Sequence, residues 1–177
     1  MDYNYKFIGN IDTSNFFSNF TEEDWNFWIF KQQKFYVHSN TNTIPIILDE
    51  TYAGKGSKTK FFKYYKNDII SIHNKIKKVY GDGDIIRMEI AKLPKKTDVM
   101  PHTDDGLSLE NDKRIHIVLQ TNEDVIFTVG DEDKNMKLGE IWEINNTKYH
   151  SVKNDSIYDR IHIIADYSLT IEKNKII

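Results

Sequence analysis

The sequence predicts a mainly β protein, a sandwich or barrel of short strands covered on its outside by N-terminal helices. Three observations predict it. Five runs, 84–93, 114–121, 124–129, 140–145 and 160–167, are rich in β-branched and aromatic residues and are separated by clusters of Asn, Asp, Gly and Lys; several short strands joined by brief turns read this way. Ahead of them lie two apolar stripes at helical spacing. Finally, a run such as Arg114-Ile115-His116-Ile117-Val118-Leu119 divides into an apolar and a polar face, because alternate residues of a strand point to opposite sides. The apolar face suits a helical cover, and the polar face must look into something wet or charged.

The first helix is expected to start at Thr21, a hydroxyl cap with Asp24 three residues on. Trp25, Trp28, Ile29 and Gln32 follow at helical spacing. The second is marked by Phe62, Tyr65, Ile69, Ile72, Ile76 and Val79, with Gly81 just past its end, where glycine commonly terminates a helix. Both stripes read as surfaces for packing on a sheet.

A chain of 177 residues is most economically one domain with a substantial core. Residues 1–83 are expected as helical lead-in and support, and 84–170 as the β core. With no cysteine, disulfides, thiolate metal sites and cysteine nucleophiles are excluded. Any metal must be held by imidazole and carboxylate. A formal charge of -3 argues against an electrostatic grip on nucleic acid. No basic-then-apolar leader and no run of about 20 apolar residues is present. The expectation is a soluble, cytoplasmic protein without membrane contact, of open oligomeric state.

Met100-Pro-His-Thr-Asp-Asp-Gly106 contains a His-x-Asp triplet, which arises often by chance. In an extended segment His102 and Asp104 project side by side, whereas Asp105 points away. His150 follows after two predicted strands, and Arg160 stands ten residues later at the head of the last strong strand. Two imidazoles and one carboxylate on one face of Fe(II) leave coordination positions open. An arginine on a barrel's inner face would be costly unpaired, so it implies an anion that its planar fork can grip.

In this order and spacing, Pro101-His102-Thr103-Asp104, Arg114-Ile115-His116-Ile117, 139–146, His150-Ser151-Val152-x-Asn154 and 160–166 resemble the aspartyl/asparaginyl β-hydroxylase family of Fe(II)- and 2-oxoglutarate-dependent dioxygenases. The resemblance runs from about Arg87 to Tyr167 and extends to the small proline hydroxylases. It implies a double-stranded β-helix (jelly-roll, cupin-like) core, with His102, Asp104 and His150 as iron ligands. Asp104 sits where some relatives supply a carboxylate and the animal enzyme has none. Arg160 matches the arginine that binds the distal carboxylate of 2-oxoglutarate, and Arg114 with His116 matches a pair that contacts its carboxylate nearer the metal. The implied reaction uses O2 and 2-oxoglutarate to hydroxylate an amino-acid side chain, Asp, Asn or Pro, free or in a protein, releasing succinate and CO2. The alternative from another class is a non-catalytic cupin-like protein that binds a metal or a carboxylate.

Other features read as structural. His162 shares Arg160's face, either in the pocket or as a hydrogen-bonded core residue. His38 and His73 read as surface or helix-packing residues and Trp142 as core. Asp131 to Asn135 begins like a calcium loop, but Met136 replaces the required glycine, so a charged hairpin turn is expected. Gly54-Lys55-Gly56-Ser57-Lys58 has the wrong order for a phosphate loop and reads as a solvated loop.

Overall fold

In the computed structural model the described residues are 2–14, 16, 21–26, 36–49, 55–104 and 112–170. Their strands are β1 (Tyr5–Asn10), β2 (Asn42–Leu48), β3 (Ser57–Lys58), β4 (Gly83–Leu93), β5 (Thr97–His102), β6 (Lys113–Gln120), β7 (Val125–Val129), β8 (Glu132–Lys134), β9 (Glu140–Ile144), β10 (His150–Asn154) and β11 (Arg160–Leu169). They form a seven-stranded sheet, β1-β9-β6-β11-β4-β2-β3, and a four-stranded sheet, β5-β10-β7-β8. From β4 to β11 the chain alternates between the two sheets, apart from the β7–β8 hairpin. This is the winding of a double-stranded β-helix, as expected.

Helix α1 (Lys66–Tyr80) buries Ile69, Ile72 and Ile76 against the outer face of the large sheet, in a cluster with Met88, Ile90, Ile115, Ile117 and Ile163. Each such side chain contributes roughly 1.5–3 kcal/mol by leaving water. Gly81, at φ 88°, closes the helix in a region that only glycine enters freely, and its N–H bonds Lys77 O. A second cluster fills the space between the sheets: Leu93, Val99, Val118, Val125, Phe127, Val129, Ile144 and Val152. Strand pleating therefore splits β4 between two cores, with Met88 and Ile90 outward and Leu93 inward.

The five strands expected from sequence appear as β4, β6, β7, β9 and β11, with ends displaced by at most two residues. The lead-in over 1–83 departs from the helical expectation. It contributes β1, β2 and β3 to the large sheet, and α1 is shorter than its stripe, with Phe62–Tyr64 in a separate 3-10 turn. Pro45 argues against a strand, since it donates no ladder bond. Here it is tolerated because β3 pairs only Ile47 and Leu48 of β2, and the β2–β4 register shifts between Pro45 and Ile47. At the first expected helix, Thr21 bonds Asp24 Oδ2 through its N–H (2.8 Å) and hydroxyl (3.1 Å). A 3-10 turn spans Glu22–Asn26, while Trp28, Ile29 and Gln32 lie outside the described residues. Ser57 and Lys58, expected in a loop, form the exposed edge strand β3; Gly54 is outside the described set. Asp131 to Asn135 carries β8, which pairs with β7 across a hairpin as expected. Among the described residues no helix is long and apolar enough to cross a membrane.

Candidate active site

His102 ends β5 and His150 opens β10, and the two residues are directly paired across the ladder. Their rings lie 4.3 Å apart, centroid to centroid. Each ring is fixed by the carbonyl two residues before it: His102 Nδ1 is 2.7 Å from Met100 O and His150 Nδ1 is 3.0 Å from Lys148 O. A carbonyl only accepts, so both Nδ1 atoms carry a proton, which leaves each Nε2 as the nitrogen able to bind a metal. Asp104, pinned through its N–H to Asn146 O at 3.2 Å, places Oδ1 3.8 Å from His102 Nε2 and Oδ2 3.7 Å from His150 Nε2. These separations are too long for hydrogen bonds. Each imidazole thus faces a different oxygen of the one carboxylate at a distance a shared cation could bridge. Two imidazoles and a carboxylate suit a divalent transition metal such as Fe(II).

The electrostatics agree with a ligand set. Burial pushes the His150 imidazole down to about 4, so it is neutral at pH 7. Burial alone would raise the Asp104 carboxyl, but Arg114, then His150 and His102, outweigh it and hold it below the usual range. His38, expected as a surface or packing residue, instead brings a third imidazole. One donor atom each from His38, His102 and Asp104 lie within 4.8 Å of one another, and the His38 ring stands edge-on to His102 at 4.9 Å.

Behind the carboxylate lies a buried charge row, because Arg87, Asp166 and Arg114 are opposed across β4, β11 and β6. Arg114 Nη1 donates to Asp104 Oδ2 at 2.6 Å, while its Nε and Nη2 grip Asp166 at 2.9 and 3.0 Å. Arg87 Nε lies 2.8 Å from Asp166 Oδ2. Such partners fix the direction of a metal-ligating carboxylate.

Arg160 is the contrasting cation. It is 3% exposed, yet no carboxylate among the described residues pairs with it. Its Nη2 lies 2.7 Å from His162 Nδ1, its Nε has no partner, and its guanidinium carbon sits 5.7 Å above the Phe127 ring. Burial pushes it down to about 9. Phe127 links Arg160 to the paired imidazoles, since the same ring stacks on His150 at 6.4 Å and meets His116 edge-on at 5.0 Å. His116 is 4% exposed with neither ring nitrogen partnered. The sequence candidates His102, Asp104, His150, Arg114, His116 and Arg160 are therefore joined by one chain of contacts, the two imidazoles and Arg114 around Asp104 and, through the Phe127 ring, His116 and Arg160.

Sequence reasoning missed Phe127, Asp166, Arg87 and His38. Asp166 and Arg160 are six apart on one strand and so share a face, a signal that period-two reading could have used. Nothing in the local sequence announces His38, which a 3-10 turn, Tyr36–His38, brings to the site. His73 packs as expected, with Nε2 2.8 Å from Gly83 O. Trp142 packs against the inter-sheet cluster.

A family model described as aspartyl/asparaginyl beta-hydroxylase matches residues 10–169. Among curated proteins, the L-proline cis-4-hydroxylase of Rhizobium meliloti (strain 1021) is 30% identical over 106 residues, which cover 60% of this chain and 36% of that protein. The match thus spans little more than a third of that relative's length. Among solved structures, an oxidoreductase of the 2OG-Fe(II) oxygenase family from Burkholderia pseudomallei superposes with a TM-score of 0.60 at 15% identity, over 72% of this chain and 66% of that one. The viral collagen prolyl hydroxylase of Paramecium Bursaria Chlorella virus-1 gives a TM-score of 0.52 at 9% identity, over 96% and 98%. At these identities the structural likeness shows the fold.

Proposed function

The chain belongs to the aspartyl/asparaginyl β-hydroxylase family, and from that membership we propose that it is an Fe(II)- and 2-oxoglutarate-dependent dioxygenase that hydroxylates an amino-acid side chain. The observation that carries the reading is the pairing of two unmet demands joined through the Phe127 ring. His102 and His150 each turn Nε2 toward an oxygen of Asp104, an arrangement that wants a cation, and the buried Arg160 wants an anion. An iron-bound 2-oxo acid with a distal carboxylate meets both.

In this reading His102, Asp104 and His150 hold Fe(II), and Arg160 receives the distal carboxylate of 2-oxoglutarate. His116 offers a donor to the carboxylate nearer the metal, together with the N–H groups of Arg114 that Asp104 and Asp166 leave over. Bound iron and 2-oxoglutarate would supply, with O2, the oxidising equivalents for hydroxylation, with succinate and CO2 as co-products. The chain's own residues bind and orient. Arg114 aims the Asp104 carboxylate, the carbonyls of Met100 and Lys148 aim the two imidazoles, and Phe127 walls the cosubstrate from solvent. Holding these groups fixed before the reaction is where a protein contributes most to such chemistry.

The substrate is proposed as an Asp, Asn or Pro side chain, free or in a peptide; the proline hydroxylase among the relatives favours proline. The test is succinate formation from 2-oxoglutarate with Fe(II) and O2, with free L-proline and short Asp-, Asn- and Pro-containing peptides as stimulants. A well-loaded protein that forms no succinate under any of them would favour the non-catalytic cupin-like alternative.

A further inference from the structure

Glu89 lies on the inward face of β4, between Arg87 and Ala91, because its neighbours Met88 and Ile90 point outward into the helix-covered core. We propose that Glu89 binds the substrate by receiving a protonated amine. The substrate is then an amino acid with a cationic nitrogen, first of all the α-ammonium of a free amino acid, and not an Asp, Asn or Pro embedded in a chain. This rests on the dioxygenase reading above and narrows its substrate.

The strand register puts Glu89 beside the proposed site. Across the large sheet it stands level with Pro45 on β2, Ile164 on β11 and, one strand further, His116 on β6. The adjoining row is Arg87, Asp166 and Arg114, and Arg114 holds Asp104. Neighbouring strands lie about 4.8 Å apart, which sets Glu89 roughly 10 Å across the sheet from His116. Ile164, between them, is only partly buried and belongs to neither apolar cluster. Core packing therefore leaves this stretch of the inner face unfilled.

Glu89 is itself half-buried, yet among the described residues no hydrogen bond or contact ion pair reaches its carboxylate. Pro45 and Ile164 beside it have no polar side-chain atom to offer. Arg87 turns its Nε to Asp166 at 2.8 Å, and Arg114 is taken up by Asp104 and Asp166. Burial pushes the Glu89 carboxyl up, and Arg87 and Arg114 oppose this only in part. A carboxylate withdrawn from water without a partner is unfavourable, and a cation placed beside it restores the charged form.

The partner's chemistry follows from what each candidate substrate can donate. An ammonium is a compact charge with several N–H donors, and the protonated ring nitrogen of free proline donates as well. Within a peptide the proline nitrogen has no hydrogen, and Asp or Asn offers there one neutral amide N–H. The free amino acid brings charge together with its donors, and charge-assisted bonds are roughly twice as strong as neutral ones. A lysine side chain presents the same ammonium, so the experiment separates the two sources.

The Zn(II)-loaded protein, which binds without turnover, is titrated calorimetrically with 2-oxoglutarate. That complex is then titrated with L-proline, L-aspartate and L-asparagine, with their N-acetyl forms, and with Nα-acetyl-L-lysine. At least one free amino acid should bind, and its N-acetyl form should bind about tenfold more weakly or worse. Glu89→Gln, close in shape but uncharged, should lose on the order of ten- to a hundredfold in affinity for the free acid, the range of one hydrogen bond to a charged group, with 2-oxoglutarate affinity retained. Glu89→Asp, which keeps the charge, should recover part of the loss. Binding of Nα-acetyl-L-lysine instead, equally lost in Glu89→Gln, places the recognised ammonium on a side chain. The comparison of free with acetylated ligands needs no variant. Failure of 2-oxoglutarate to bind overturns the dioxygenase reading, on which this inference rests. With 2-oxoglutarate bound, acetylated ligands that match the free acids, Glu89→Gln affinities equal to the wild type's, or no binding by any of these amines overturn the role of Glu89 alone.

Discussion

His102 and His150 face each other across the β5–β10 ladder, each tied at Nδ1 to the carbonyl two residues before it. Register and tautomer are therefore set by backbone alone, before any metal arrives. His102→Ala or His150→Ala should each abolish metal retention after desalting and, with it, succinate formation, while leaving the fold intact. Metal content per chain checks this. Asp104→Ala should weaken both without eliminating them, because the two imidazoles remain in place.

The Asp166 carboxylate holds Arg87 and Arg114 together beneath Asp104, the proposed ligand. Removing it takes the shared acid from between two guanidiniums, so Asp166→Ala should destabilise the protein by about 3–5 kcal/mol in denaturant unfolding. Asp166→Asn keeps the shape and some of the hydrogen bonds. Its expected signature is a metal affinity reduced roughly 10–100-fold, the usual scale for losing an outer partner of a ligand.

Arg160 should show the opposite balance. Its buried charge has no anion among the described residues, so Arg160→Met should leave the apoprotein at least as stable as the wild type in thermal unfolding. The same change should reduce 2-oxoglutarate affinity by about a hundredfold or more, since at least one charge-assisted bond is lost. A large fall in apoprotein stability would mean that Arg160 is structural.

Acid should loosen the apoprotein before its carboxylates titrate. Burial, then Arg160, hold both His116 and His162 well below the ordinary histidine range. Groups whose folded-state pKa is depressed contribute stability that is present above the unfolded value of about 6.5 and lost as pH falls beneath it. Each histidine that stays neutral should remove about 1.4 kcal/mol per pH unit below 6.5. Denaturation midpoints of the apoprotein between pH 7 and pH 5 check this, and a flat profile would show these rings protonating in place.

The β core was legible because 84–93 and 160–167 carry β-branched runs long enough to outweigh their polar residues. β5 and β10 were not, since Thr97–His102 and His150–Asn154 are polar strands whose side chains serve the site more than the core. β1 and β2 escaped for another reason: short runs near helical stripes take their identity from the sheet they join. In the site, the order of His102, Asp104, His150 and Arg160 could be read directly. The clasp of Arg114 by Asp104 and Asp166 could not, because opposed residues on β6 and β11 become neighbours only once the register is known.

The most direct measurement is an anaerobic crystal structure of the protein with Mn(II) and 2-oxoglutarate. The account predicts the metal bonded to His102 Nε2, His150 Nε2 and an Asp104 oxygen, with the distal carboxylate of 2-oxoglutarate on the Arg160 guanidinium. A metal bound elsewhere, or a cosubstrate whose distal carboxylate points away from Arg160, would contradict it.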